Sequence, residues 1–221
     1  MKPLFLFLQK KEMSTLQKLQ WRYATKKFDA NTVLSQDKIT LLKEAFNLTA
    51  LSYGLQTLKM VVIEDKAKRE NLVPIAYGQR QVADASHLLV LCIQSKIDET
   101  DINAHFNTIK SVRNTPDTIL EPFKAQLTDT ITKMTQIKKD NWATNQAYIA
   151  LGNLMTVCAF EAIDSCPMEG FVPQKLDEAL GLDTLGLKSV LLLPVGYRAT
   201  DDMFADLKKV RKPLPKTIID L

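Results

Sequence analysis

Arg22-Tyr23-Ala24-Thr25-Lys26-Lys27-Phe28-Asp29 is the stretch around which the chain is organised. It places three cations, Arg22, Lys26 and Lys27, within six residues. Hydroxyls at Tyr23 and Thr25 lie between them, and the aromatic Phe28 closes the run. An amphipathic stretch beginning at Ser14 precedes it, with Leu16, Leu19 and Tyr23 at helical spacing. Cations favour the negative end of a helix dipole, so a solvated helix end is one account of the cluster. A site for a phosphorylated anion is the other, and the remaining chain has to separate them.

At 221 residues the chain suits one well-cored α/β or α+β domain. Hydrophobic residues make up 46% and charged residues 24%, both ordinary for a globular protein. The net charge of +4 comes without a long basic block, so nucleic acid is not implied, and a basic pocket for one anionic ligand would suffice to account for it. Cys92, Cys158 and Cys166 are odd in number and form no C-x-x-C. Free buried thiols in a reducing cytoplasm are the simplest account. The histidines, His87 and His105, have no ligand-like spacing to a cysteine, which argues against a metal site. The apolar run Pro3-Leu4-Phe5-Leu6-Phe7-Leu8 is too short for a bilayer span, and no small-residue cleavage site follows. Residues 1–13 are expected to be an N-terminal extension or an over-called start. Residues 14–221 are then a single domain, with Ser14 capping the first helix.

Further along, Ser35 suits an N-cap, and Ile39, Leu42, Ala45 and Phe46 give a helical face from Gln36 to Leu48. Leu58–Ile63, His87–Ile93 and Lys188–Tyr197 are apolar, β-rich runs and predict strands, the second of them central. Glu64 to Ala76 predicts a charged helix, Tyr77-Gly78 a turn, and Gln79 to Ala85 a short helix. Helices are also predicted over Asp98–Val112, Thr118–Lys139, Trp142–Ser165 and Pro173–Leu180. Trp142–Ser165 is apolar on more than one side, as a buried helix would be. Thr217-Ile218-Ile219 is a β-prone end to a basic tail rich in proline. The helical middle does not alternate with strands, which argues against a plain doubly wound fold and leaves α+β or mixed α/β.

Neither G-x-G-x-x-G after a strand nor G-x-x-x-x-G-K-[ST] occurs, and no G-x-S-x-G elbow supports a serine nucleophile. Arg22–Asp29, Ala50-Leu51-Ser52-Tyr53-Gly54-Leu55-Gln56, Gly78–His87, Pro167-Met168-Glu169-Gly170-Phe171 and Lys209-x-Arg211 stand in sequence order. Together they resemble the FMN-dependent nitroreductase family over about residues 14–221. The resemblance implies an α+β fold with a mixed or antiparallel central sheet flanked by helices, in an intertwined homodimer with FMN at the subunit interface. It also implies NADH or NADPH as electron donor and a ping-pong, two-electron reduction of nitroaromatics, quinones or other electron-poor small molecules. Dihydropteridine, enone or flavin reduction, or a non-enzymatic FMN-binding dimer, are the alternatives.

By the same resemblance Arg22, Lys209 and Arg211 would hold the FMN phosphate, with Tyr23 and Ala24 near the phosphate and ribityl chain. Lys26 would face the pyrimidine edge of the ring, where a cation stabilises developing negative charge. Leu51, Ser52 and Gly54 would approach the flavin from the other chain through backbone groups. Glu169 and Gly170 would lie near the flavin N5, and Gln81 would be directed at the ring. Ala24 stands where the family often has Ser. Gly78 stands where many relatives carry Asn, with Gln79 as the substitute. Residues 107–127 would form a lid that selects the acceptor, with Phe106 and Phe123 stacking on the substrate. No side chain is expected to be a catalytic acid or base, because the cofactor carries the chemistry. Asp84 and His87 are expected to be structural.

Overall fold

The computed structural model describes residues 13–221. The extension proposed for the first residues therefore lies, up to residue 12, outside the described part. Four strands form one antiparallel sheet in the order β1-β2-β4-β3: β1 Leu58–Ile63, β2 His87–Gln94, β3 Asp164–Ser165 and β4 Leu187–Gly196. The expected α+β architecture holds, and every strand pairing in the sheet is antiparallel.

The sheet carries a hydrophobic core on each face, which explains why its two inner strands read as unbroken apolar runs. Side chains alternate across a strand. On β2, Leu89, Leu91 and Ile93 join one core and Leu88, Val90 and Cys92 the other. The first core packs the sheet against α2 (Gln36–Asn47), α5 (Glu99–Arg113), α6 (Asp117–Thr132) and α7 (Gln136–Phe160). The second packs it against α3 (Lys66–Leu72), α4 (Gln81–Asp84) and α8 (Pro173–Leu180). Burial of β2 on both sides makes it the central strand anticipated.

The helix starts follow their caps. Ser14 opens α1 (Thr15–Trp21) with a capping box to Gln17, and Ser35 and Asp98 cap α2 and α5. Several expected boundaries move. The predicted break at residues 139–142 falls instead at Lys133–Thr135, where the Thr135 hydroxyl accepts from Lys138 N–H and starts α7 six residues early. The other end of α7 stops at Phe160 rather than Ser165, because Ala162 turns into the left-handed region at φ 51°. There Ile163 N–H bonds back to Cys158 C=O at 2.8 Å, the six-to-one bond of a Schellman ending. Glycine normally fills that place. Ala162→Gly is therefore expected to raise stability by about 1 kcal/mol. For a domain of this size that is about 2–4 °C in Tm, readable by thermal denaturation. The charged helix expected over residues 64–76 shortens to α3, and Thr217–Ile219 pairs with no strand among the described residues.

The opening stretch changes most. It is not a helix end, since α1 stops at Trp21 and Arg22 is already extended, with φ −69° and ψ 142°. Ala24 bridges to Ser165 in parallel and Phe28 to Arg198 in antiparallel. Residues 22–28 thus run as an extra, irregular strand beside β3 and the end of β4. Phe28 is buried in the second core, which anchors the run. Leu16, expected on a buried helical face, is 70% exposed within the chain.

Candidate functional site

Four segments far apart in sequence meet at one end of the sheet. Ala24 pairs with Ser165, and Met168 pairs with Leu192. The Gln79 amide Nε2 donates to Gly170 C=O at 2.8 Å. The Lys209 ammonium donates to the Arg22 carbonyl, which brings the tail back onto the opening stretch. Residues 22–28, 77–81, 165–170 and 198–211 are therefore one neighbourhood.

Asp202 organises the cationic part. It is buried, and its Oδ2 accepts from the Tyr23 hydroxyl at 2.7 Å, Lys26 N–H at 2.9 Å and Lys27 N–H at 3.1 Å. Its Oδ1 accepts from Phe204 N–H at 3.1 Å. Burial works to raise the carboxyl, but these donors outweigh it and hold Asp202 below the usual aspartate value. Burial and then the bond to Asp202 push the Tyr23 phenol well above its ordinary value. Beside it, Arg198 lies over the rings of Trp21 and Tyr23, 4.3 and 4.6 Å from their centroids. Its guanidinium pairs with the buried Asp164 at 2.6 Å.

Arg198 is thus neutralised, but its neighbours are not. Arg22, Lys26, Lys209 and Arg211 have no carboxylate partner among the described residues. Burial, and then the like charges of Arg22, Arg211 and Arg198, pull Lys209 below the ordinary lysine value. Uncompensated cations this close repel one another, and an anion bound among them would relieve that repulsion. The geometry separates Lys27 from the other cations of its stretch, since its ammonium pairs with Asp201 in solvent.

Glu169 and Gly170 follow Met168 as irregular chain. Neither backbone N–H donates a hydrogen bond among the described residues, which leaves two consecutive donors available to a ligand. The Glu169 carboxylate accepts from the Tyr148 hydroxyl of α7 at 2.7 Å. A Cβ at Gly170 would lie 2.7 Å from Gln79 Nε2, so a side chain there would have to displace the Gln79 amide. Gln79 is thereby committed to holding Gly170, and its amide also reaches Ala76 C=O. Gln81 is buried at the start of α4 with no hydrogen-bond partner for its side chain among the described residues.

Leu51, Ser52 and Gly54 form a separate cluster. They belong to a tight turn, Ser52–Gly54, held between α5, α6 and α7. Ser52 N–H donates to Gln146 Oε1 of α7 at 2.7 Å. The Tyr53 ring lies 6.4 Å from Phe123 and 6.2 Å from Trp142. Phe123 is partly open to solvent, as a stacking residue would need. Phe106 is a correction to the expected lid surface: it is 3% exposed, packed edge-on against Phe123 at 5.5 Å within the core. Asp84 bonds locally to Arg80 at 2.6 Å, and His87 is buried with Nδ1 2.8 Å from the Ser86 hydroxyl.

The sequence alone did not single out Asp202, Gln146 or Tyr148. Gln146 carried a usable signal, being a lone amide among Ala143, Ala147 and Ala150 on the buried stripe of α7. Asp202 had none, since its contacts reach back more than 170 residues.

The family model described as "Nitroreductase family" matches residues 19–197. A protein named "Putative NAD(P)H nitroreductase" from Staphylococcus saprophyticus is 32% identical over 200 residues, covering 86% of this chain and 90% of its own. One of the same description from Bacillus subtilis is 31% identical over 210 residues, covering 89% of each. A solved nitroreductase structure from Exiguobacterium sibiricum, in complex with FMN, superimposes with a TM-score of 0.81. It is 19% identical and covers 95% of this chain and 98% of its own. The chain belongs to the nitroreductase family.

Proposed function

We propose that the protein is an FMN-dependent oxidoreductase that takes reducing equivalents from NADH or NADPH and passes them to nitroaromatics, quinones or related electron-poor acceptors in ping-pong turnover. The observation that carries this is the group of uncompensated cations, Arg22, Lys209 and Arg211, drawn together from opposite ends of the chain. That donor set fits a phosphate monoester: guanidinium groups offer paired donors to phosphate oxygens, and the ammonium adds a point charge. Bound there, FMN supplies the two-electron chemistry.

The chain's own groups then bind and orient. Arg22, Lys209 and Arg211 hold the phosphate, with Tyr23 and Ala24 beside it. Lys26 is exposed and its ammonium is unpaired among the described residues, so it is available to stabilise negative charge on the ring. The open N–H groups of Glu169 and Gly170 face the ring edge, and Gln79 keeps Gly170 in place. Gln81 has an uncommitted amide for the same ring. Phe123 offers an aromatic face to the acceptor.

The site is built by two copies of the chain. Leu41, Leu48, Val157 and Phe160 line an open, mainly apolar groove of about 400 Å³ between α2 and α7. Tyr148 and Ile149 add exposed apolar surface on α7, and Val210, Leu214, Ile218 and Ile219 do so along the tail. Surface of this kind marks an interface. In the dimer, Leu51, Ser52 and Gly54 of one protomer close the site of the other. Among the described residues no helix is long and apolar enough to cross a membrane.

Reconstitution tests the assignment. The purified protein titrated with FMN is expected to bind it stoichiometrically. NADPH or NADH should bleach the flavin absorbance without oxygen, and a nitroaromatic or quinone should restore it. Protein that takes up no FMN would overturn the assignment. A screen of nitroaromatic, quinone, enone, pteridine and free-flavin acceptors then orders the substrates.

A further inference from the structure

The turn after Leu51 is the most concentrated backbone strain among the described residues. Tyr53, Gly54 and Gln56 have φ of 57°, 72° and 45° within four residues. Non-glycine residues in the left-handed region cost on the order of 1 kcal/mol or more each, and persist only where surrounding structure over-determines them. Two side chains do so here.

Gln146 is 7% exposed, on a stripe of α7 otherwise made of alanine and leucine. Its Oε1 accepts from Ser52 N–H at 2.7 Å. A backbone N–H can only donate, so this contact fixes which way the amide faces. An apolar residue would pack the stripe equally well, so the amide answers to the turn rather than to the core. His105, on α5, lies beneath Gly54: a Cβ there would come 3.0 Å from its Cε1. The imidazole also faces the Tyr53 backbone, a polar contact that offsets part of the burial that lowers its pKa.

We propose that Gln146 and His105 are positioning residues, which hold Leu51–Gly54 in the one shape that lets its backbone lie against the flavin. The inference rests on the function proposed above. It makes the turn part of the rigid α5–α7 frame rather than a loop that adapts to the cofactor. Loss of either support relaxes the strained φ values, withdraws the backbone from the ring, and weakens cofactor binding without touching the phosphate site.

The test compares each apolar variant with one that keeps the polar contact. In the cold, where circular dichroism shows each variant folded, Gln146→Leu and His105→Leu are expected to weaken FMN binding about tenfold, the worth of one lost hydrogen bond with its relaxation. The visible circular dichroism of the bound flavin should change with it. Gln146→Glu, which keeps an acceptor, and His105→Gln, which keeps a donor, should recover most of the affinity. Leucine variants that bind FMN like wild type with an unchanged flavin spectrum would overturn the inference, as would equal losses in the leucine and polar variants. If Gln146→Leu does not fold, the His105 pair decides. Wild-type protein that binds no FMN is a different result, and it overturns the functional assignment itself.

Discussion

Replacing Arg22 and Arg211 together by alanine is expected to weaken FMN binding by about 10²–10⁴-fold, from two lost charge-assisted hydrogen-bonding groups at about 1.5–3 kcal/mol each. The magnitude follows from what surrounds them. Neither has a carboxylate partner among the described residues, and both depress Lys209 through like charge. In the free protein they repel one another, so removing them costs the fold little. Their stabilisation appears only when an anion arrives. Fluorescence titration of FMN should show the loss, and the wild-type affinity should fall as salt is raised, because the contact is electrostatic. Lys27→Ala is the internal control. It belongs to the same short stretch, but its ammonium is paired with Asp201 in solvent, and its removal should leave affinity within about twofold, as expected for an exposed pair. Unchanged affinity in the double variant would place the phosphate elsewhere.

The contrast between Arg22 and Lys27 also shows where the sequence was legible. The strands β2 and β4 could be read because burial on both faces leaves an unbroken apolar run, and the caps at Ser14 and Ser35 because capping is local chemistry. The start of α7 could not be placed, since Thr135 sits within a polar run that looks helical throughout. The opening stretch was visible as a cluster of cations but not as a strand. Its conformation is set by Ser165, Arg198 and Asp202, far along the chain. The same distance hid the division of labour among its charges. Periodicity marks a residue as facing a core, and only the packed chain shows whether an aromatic such as Phe106 lies within the core or at the surface.

Asp202→Ala is expected to destabilise the folded protein by about 3–5 kcal/mol, the range for breaking a buried hydrogen-bonded charge. Three backbone N–H groups and the Tyr23 hydroxyl lose their acceptor together. Asp202→Asn does not rescue it fully, since one carboxylate oxygen serves three donors and the other serves Phe204 N–H. An amide must turn its NH₂ towards one set or the other, so a loss of about 2–3 kcal/mol is expected from the charge and the opposed donor. The pH dependence identifies the cause. The folded carboxyl lies below its unfolded value, so its contribution is fully present above the unfolded aspartate value of about 4 and is lost as pH falls through the folded value. The stability gap between wild type and Asp202→Asn, measured by denaturant titration, should be flat above that point and close in acid. Because Asp202 holds the amides of Lys26 and Lys27, the asparagine variant should also bind FMN less tightly while every phosphate ligand remains in place. A gap that persists undiminished in acid would mean that Asp202 acts through its shape and not its charge.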